Sequence, residues 1–403
     1  MKKSKKKQWM KFRHRIARNI LYFLLYPVAK LKYGMQVKRF KAQGKRPYLI
    51  LYNHQTAFDQ FFVGMCFSGP VYYVASEDLF SNGFTSSVIK YLVAPIPIKK
   101  SVSDMRAVMN CMRVASEGGT VCIAPEGNRT FSGKTEYINP AIATLAKTLK
   151  LPVALLHIEG GFGVHPRWSD KTRRGKLSVY VSEVIEPEEL AALTKEELFD
   201  RIRTGLSVDD TARSALYKGK RLAEYVERVL YVCPDCGLSS FESHGNTFTC
   251  KTCGHTATYL PDLRLKNAPF PYLKDWYDYQ ERFIGKLDLS SFGEECIYSD
   301  RVRLSEVLLY RKKILLDKEA TFSLYRDRYE FTVKGEKTVV PFDSVSAVSI
   351  LGKNKINVYF GEKGATLWQA KGCKRFNPVK YMHFYYHDLN VKKGETEHEF
   401  LGL

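Results

Sequence analysis

Between residues 47 and 228 short apolar runs alternate with stretches of helical period. The runs are 48–52 (Tyr-Leu-Ile-Leu-Tyr), 71–75 (Val-Tyr-Tyr-Val-Ala), 92–98, 120–124 (Thr-Val-Cys-Ile-Ala), 153–158 and 177–181. Continuous apolar runs of this length read as strands buried on both faces. Helix-like stretches, such as 103–117 and 139–149, lie between them. The alternation predicts an α/β domain with a largely parallel sheet, whose ligands gather at strand ends.

The pattern differs on either side. In residues 1–46, Trp9, Phe12, Ile16, Ile20, Phe23 and Leu24 recur every three or four positions, with lysines and arginines between them. That is a basic amphipathic helix. Its most apolar run, Ile20–Ala29, is half the roughly twenty residues a membrane span needs, so the expectation is a helix lying in one leaflet. No small-residue cleavage site follows Ala29, which argues against a signal peptide. Residues 261–295 are rich in aromatics and charges and read as a linker packed on its neighbours. In 296–390, short strands at 307–310, 314–316, 320–325, 329–333, 337–341, 345–350, 355–360 and 365–369 precede a helix at 377–386, with turn signals such as Asp317-Lys318. Strands followed by a helix resemble a pleckstrin-homology-like or GRAM-like barrel, which implies docking of lipid headgroups or a protein.

Charge sharpens the picture of the first segment. The chain has 403 residues and a net charge of +21, and sixteen of its 63 Lys/Arg lie in residues 1–46, which hold no Asp or Glu. A nucleic-acid binder would spread such charge over a working face, and this arm is too apolar for one. A local anionic lipid surface fits better, as on the cytoplasmic side of the cell membrane, with the protein peripheral or monotopic.

The chemistry starts at Asn53-His54-Gln55-Thr56-Ala57-Phe58-Asp59. His and Asp at this spacing occur three times: His54/Asp59, His165/Asp170 and His383/Asp388. Only His54 follows an apolar strand and precedes a helix start, with Thr56 as a helix cap and Phe61, Phe62, Met65 and Cys66 as the apolar face. There a carboxylate can hold the imidazole tautomer while the other ring nitrogen takes a proton. The alternative is a polar loop histidine beside a helix-start aspartate. A second strand runs into Pro125-Glu126-Gly127-Asn128-Arg129. Gly127 permits a turn closed to other residues, and Arg129 at a strand end can grip a phosphate; a structural Glu/Arg ion pair is the alternative. Lys99-Lys100 after a third strand offers further anion contacts or a solvated turn. Leu151–Gly161 is a buried strand ending in a glycine turn.

Together, these stretches resemble the glycerolipid acyltransferase superfamily, most closely its lysophosphatidic acid acyltransferases, over residues 47–185. Asn53-His54…Asp59 is similar to that family's catalytic block and Pro125–Arg129 to its acceptor-binding block, in which Thr or Ser usually stands at the place of Asn128. Lys99-Lys100 replaces a common Asp-Arg, and Leu155 stands where a second proline is frequent. The resemblance implies an enzyme acylating lysophosphatidic acid from acyl-CoA or acyl carrier protein, giving phosphatidic acid for phospholipid biosynthesis. His54 is then the general base and Asp59 its orienting partner. Glu126, Gly127, Arg129 and Lys100 are the substrate-binding residues. Another acceptor, such as glycerol 3-phosphate, another lysophospholipid or a glycolipid, is the alternative, as is a non-catalytic zinc-ribbon adaptor. A hydrolase lacks its nucleophile here, since no Gly-x-Ser-x-Gly motif is present.

Cys233-Pro-Asp-Cys236-Gly and Cys250-Lys-Thr-Cys253-Gly in residues 229–260 are two thiolate knuckles of a zinc ribbon. Four thiolates close the coordination sphere, so the zinc is expected to be structural, with no catalytic metal; a pair of disulfides is the rival. Cys66, Cys111, Cys122, Cys296 and Cys373 read as reduced core residues, which with the zinc site places the domains in the cytosol.

Overall fold

A computed structural model of the chain describes residues 8–99, 104–308 and 311–394. Its first unit is built on seven strands, β1 (Met35–Val37), β2 (Leu49–Tyr52), β3 (Val71–Ser76), β4 (Ile96–Ile98), β5 (Thr120–Ile123), β6 (Val153–Glu159) and β7 (Leu177–Ile185). They lie in the order β1-β7-β6-β2-β5-β3-β4, and every neighbouring pair is parallel except β6 and β7. The largely parallel α/β sheet is the one the apolar runs predict. Alternation explains why those runs are continuous: Ile50 and Tyr52 of β2 enter one core, Leu49 and Leu51 the other.

The helices of this unit are α1 (Phe12–Tyr33), α2 (Asp59–Cys66), α3 (Phe84–Val93), α4 (Met105–Ser116), α5 (Ala141–Leu149), α6 (Gly161–Val164), α7 (Pro187–Ala192) and α8 (Lys195–Gly205). The run 92–98 is not one strand. Leu92 and Val93 close α3, Ala94 turns left-handed at φ 41°, and β4 begins only after Pro95. Proline disfavours the helical conformation in the residue before it, which separates the two elements.

The amphipathic segment forms the single helix α1, which buries His14, Ala17, Ala29 and Tyr33. Its other face exposes Phe12, Ile16, Ile20, Phe23, Leu24 and Leu31, with Phe23 77% and Leu31 78% accessible. Among the described residues no helix is long and apolar enough to cross a membrane. Gly34 ends α1 in the left-handed region, where a Cβ would lie 2.1 Å from the Gly175 carbonyl oxygen.

The cysteine-rich segment pairs β8 (Val232–Cys233) with β9 (Gly237–Leu238). A second antiparallel sheet holds β10 (Phe241–His244), β11 (Thr247–Cys250), β12 (Thr256–Tyr259) and β13 (Leu265–Lys266). Within 261–295, α9 (Leu273–Gly285) buries Trp276, whose Nε1 donates to the Val232 carbonyl at 2.8 Å. Trp276 and Tyr277 of that segment are therefore core, with Trp276 packed against Phe241 and Phe248.

The last unit is an antiparallel sheet of β14 (Tyr298–Glu306), β15 (Ile314–Leu324), β16 (Arg328–Val333), β17 (Glu336–Pro341), β18 (Val345–Leu351), β19 (Lys355–Phe360) and β20 (Thr366–Gly372), followed by α10 (Val379–Lys393). The order β17-β16-β15-β14-β20-β19-β18 and the closing helix match the expected strands-then-helix architecture. Two details differ. Val307 and Leu308 lie in a loop, and residues 309–310 fall outside the described residues. The strand precedes them as β14, where only Val302 and Leu304 are fully buried, so its apolar signal is weak. Asp317-Lys318 is not a turn: the register jumps there, from Val302↔Ala320 to Leu304↔Asp317, which is a bulge within β15.

Candidate active site

His54 and Asp59 sit where β2 gives way to α2. The Asn53 amide fixes the exit of β2 by bonding both the carbonyl and the N–H of Ile158 on β6, each at 2.8 Å. The chain then turns, and His54 Nδ1 lies 2.8 Å from Asp59 Oδ2. Asp59 is 0% exposed and also accepts the N–H groups of Gln55 and Thr56 and the Thr56 hydroxyl. Thr56 thus does not cap α2 directly. The helix begins at Asp59, and the Thr56 hydroxyl instead helps hold the carboxylate.

The other two spacings bring nothing together. Asp170 pairs with Arg228 and Lys353, not with His165. His383 is buried on α10 between the hydroxyls of Tyr231 and Tyr277, while Asp388 pairs with Lys392.

With Nδ1–H donating to Asp59, Nε2 carries the lone pair. Burial lowers the His54 pKa below the usual 6.5; Asp59 opposes that shift, while Arg129 and Arg167 reinforce it. The ring is therefore neutral at pH 7, as a general base must be.

The second loop follows β5. Gly127 adopts φ 68°, which lets the chain reverse towards His54. Glu126 departs from the expectation of substrate contact. It is buried away from the cavity, and its carboxylate accepts the His54 backbone N–H at 2.6 Å and the Glu136 N–H at 2.8 Å. It braces His54, and no ion pair joins it to Arg129 among the described residues. Burial, the largest cause, holds its pKa well above the carboxylate range. Arg129 Nη1 is buried without a hydrogen-bond partner, and burial lowers its pKa. Lys100 lies outside the described residues; its neighbour Lys99 lines the cavity described next.

His54, Gly127, Asn128 and Arg129 open on one cavity of about 1150 Å³. From this polar end it runs between Leu21 and Leu25 of α1, Ile89 and Leu92 of α3, Val108 of α4 and Leu145 of α5. A proton acceptor, a half-buried guanidinium and a largely apolar channel thus share one space. Residues 33–158 match the family model described as Acyltransferase. This part of the chain is an acyltransferase domain. A search of curated proteins returned no match. Among solved structures, the chain is similar to that of the 1-acyl-sn-glycerophosphate (LPA) acyltransferase PlsC from Thermotoga maritima. The sequences are 20% identical, the match covers 48% of this chain and 78% of that one, and the TM-score is 0.41.

Three features in and around this cavity carry no local sequence signal. Arg167 lines the cavity from the segment after α6. Asp210 accepts the N–H groups of Gly160, Phe162 and Gly163 and so shapes the turn after β6; burial pushes its pKa up to about 7. Ile350, Leu351 and Gly352 reach the cavity from the C-terminal β unit.

Away from the acyltransferase domain, the Sγ atoms of Cys233, Cys236, Cys250 and Cys253 lie within 4.8 Å of one another. Tetrahedral thiolates about 2.3 Å from a metal stand roughly 3.8 Å apart, and Cys233 and Cys253 are separated by 3.9 Å. Backbone N–H groups of Asp235 and Cys236 point at the Cys233 sulfur, and those of Thr252 and Cys253 at the Cys250 sulfur. Gly237 and Gly254, at φ 72° and 77°, make the turns that aim them. The donor set fits a metal held by four thiolates. All nine cysteines are free thiols. Of the five others, Cys66, Cys111 and Cys122 are buried, but Cys296 and Cys373 are exposed and not core residues.

Proposed function

We propose that the protein acylates the free hydroxyl of lysophosphatidic acid, taking the acyl group from a thioester of coenzyme A or acyl carrier protein. The observation that carries this reading is the His54–Asp59 pair at 2.8 Å, facing an apolar cavity whose polar end also holds Arg129. His54 Nε2 removes the hydroxyl proton as the oxygen attacks the thioester carbonyl. The tetrahedral intermediate collapses, the thiolate departs, and the imidazolium returns its proton to sulfur. Asp59 keeps the tautomer and stabilises the imidazolium that forms. Arg129 holds the acceptor phosphate, and the channel takes acyl chains.

Both substrates carry acyl chains, and each methylene costs about 0.8 kcal/mol to bring into water. Phe84 and Tyr91 of α3, which packs against α1, and Met105 and Met109 of α4 are exposed as well. We infer that this face lies in the cytoplasmic leaflet, with the basic arm on anionic lipid and the channel opening beside it. The four cysteines hold a structural zinc, which cross-links the ribbon and, with its coordination filled, takes no part in the reaction.

Purified full-length protein, acyl thioester and lysophosphatidic acid should release free thiol and form phosphatidic acid. A panel adding glycerol 3-phosphate and other lysophospholipids identifies the acceptor. Thiol release that is no faster with any acceptor than without one would overturn the proposal.

A further inference from the structure

A guanidinium out of water needs its charge and all its donors answered. Arg167 is 1% exposed, yet neither it nor Arg129 forms an ion pair among the described residues. Arg167 is held by carbonyls instead. Nη1 donates to the Arg129 carbonyl at 2.6 Å, Nη2 to the Ile350 carbonyl at 2.8 Å and the Asn128 Oδ1 at 3.4 Å, and Nε to the Gly352 carbonyl at 3.2 Å. Its flat face covers the Phe131 ring at 3.9 Å. Carbonyls satisfy donors but do not neutralise charge. Burial, then the proximity of Arg129, lowers the Arg167 pKa well below its ordinary value. The guanidinium groups of Arg129 and Arg167 line the same cavity.

Ile350 lies near the end of β18 and Gly352 in the turn joining β18 and β19, in the C-terminal β unit. That unit is also fastened to the acyltransferase domain by Gln369 on Asp78, Ser81 on the Leu308 carbonyl and Lys353 on Asp170.

We propose that Arg129 and Arg167 form a two-guanidinium subsite for a phosphate monoester dianion, and that the β18–β19 turn makes the C-terminal β unit a selector of the acceptor. The proposal rests on the acyl-acceptor reading above. A monoester brings two charges to the two guanidiniums: Arg129 offers its unpartnered Nη1, and Arg167, whose other donors are taken, offers its charge and the second Nη1 hydrogen. A diester brings one charge, leaves one guanidinium unanswered and pushes its second substituent against Leu351 and Gly352. Lysine at position 167 keeps a charge but cannot span three carbonyls as a planar fork does.

The test compares wild type, Arg167→Gln, Arg167→Lys and Gly352→Val, which strains a turn at φ 65°. Each receives lysophosphatidic acid, a monoester, or lysophosphatidylglycerol, a diester, with palmitoyl-CoA and palmitoyl-acyl carrier protein as donors. Arg167→Gln should raise the monoester KM by about tenfold or more, the usual loss for one charged hydrogen bond. Its kcat should fall less than its KM rises, the donor KM should hold, and the monoester preference should shrink. Arg167→Lys should recover part of the KM effect, and Gly352→Val should shift KM the same way. A preserved monoester preference in Arg167→Gln, or lysine no better than glutamine, overturns the proposal. A donor KM and unfolding midpoint like those of wild type show that each variant is folded. If wild type acylates neither acceptor, the acyl-acceptor reading fails. Titration of the full chain with inorganic phosphate then decides the subsite alone: saturable binding that Arg167→Gln abolishes supports it, and no binding by wild type overturns it.

Discussion

Replacing Asp59 by Asn should separate the chemical from the structural work of the pair. Asp59 receives four donors: the His54 ring at 2.8 Å, the Gln55 N–H at 2.7 Å, the Thr56 N–H at 2.9 Å and the Thr56 hydroxyl at 2.6 Å. An asparagine offers one acceptor oxygen and an NH₂ that meets donors head-on. At least one buried backbone N–H loses its partner, at about 1–3 kcal/mol, and the charge assistance of the others disappears. A total near 3 kcal/mol lowers the unfolding midpoint of a domain this size by roughly 6–12 °C. The amide also donates to Nδ1, which moves the ring proton to Nε2 and removes the base; the same change in a serine-protease triad costs about 10⁴ in kcat. His54→Ala removes the base but leaves Asp59 its backbone donors, so it should be inactive at near-normal stability. Thiol release and thermal unfolding, measured on both variants, check this. Asp59→Asn as stable as His54→Ala, or either variant retaining wild-type turnover, would refute the reasoning.

The pH dependence follows from the same histidine. Its pKa is lowered from the usual 6.5, so the base is still present at pH 6.5 and is lost only as pH falls through the lowered pKa; kcat at saturating acceptor should hold at pH 6.5 and fall with a slope of one proton at a more acidic pH than an ordinary histidine would give. Cys236→Ser should remove the bound zinc, measured as metal per chain. Because structural zinc contributes folding energy directly, proteolysis should then open the segment holding β8–β12 first. Phe23→Asp with Leu31→Asp replaces two exposed side chains that do not line the cavity. Each apolar side chain is worth about 1.5–3 kcal/mol when buried, so flotation with anionic liposomes should drop by about a hundredfold or more. Turnover of a water-soluble short-chain acceptor should persist. Unchanged flotation would detach the stripe from any membrane role.

What the sequence discloses depends on how local the interaction is. Strands β2, β5 and β6 are buried on both faces, so their residues are apolar without interruption and mark themselves. β14 is buried on one face at only two fully enclosed positions, Val302 and Leu304, and its charged neighbours hide it. The site divides in the same way. His54 and Asp59 lie within one loop, and Gly127 and Arg129 within another, so spacing and strand context point to them. Glu126 belongs to the second motif, but its partner is the His54 backbone, 72 residues away, and a backbone partner leaves no residue type to read. Arg167 is the extreme case. Its carbonyl partners are 38, 183 and 185 residues distant and lie in two units of the fold. A carbonyl is the same group on every residue, so nothing at Arg129, Ile350 or Gly352 announces a guanidinium. Only burial without a carboxylate singles out Arg167, and burial is a property of the assembled fold. The subsite proposed for Arg129 and Arg167, made this way, can be tuned from the C-terminal β unit while the motifs around His54 and Arg129 stay unchanged.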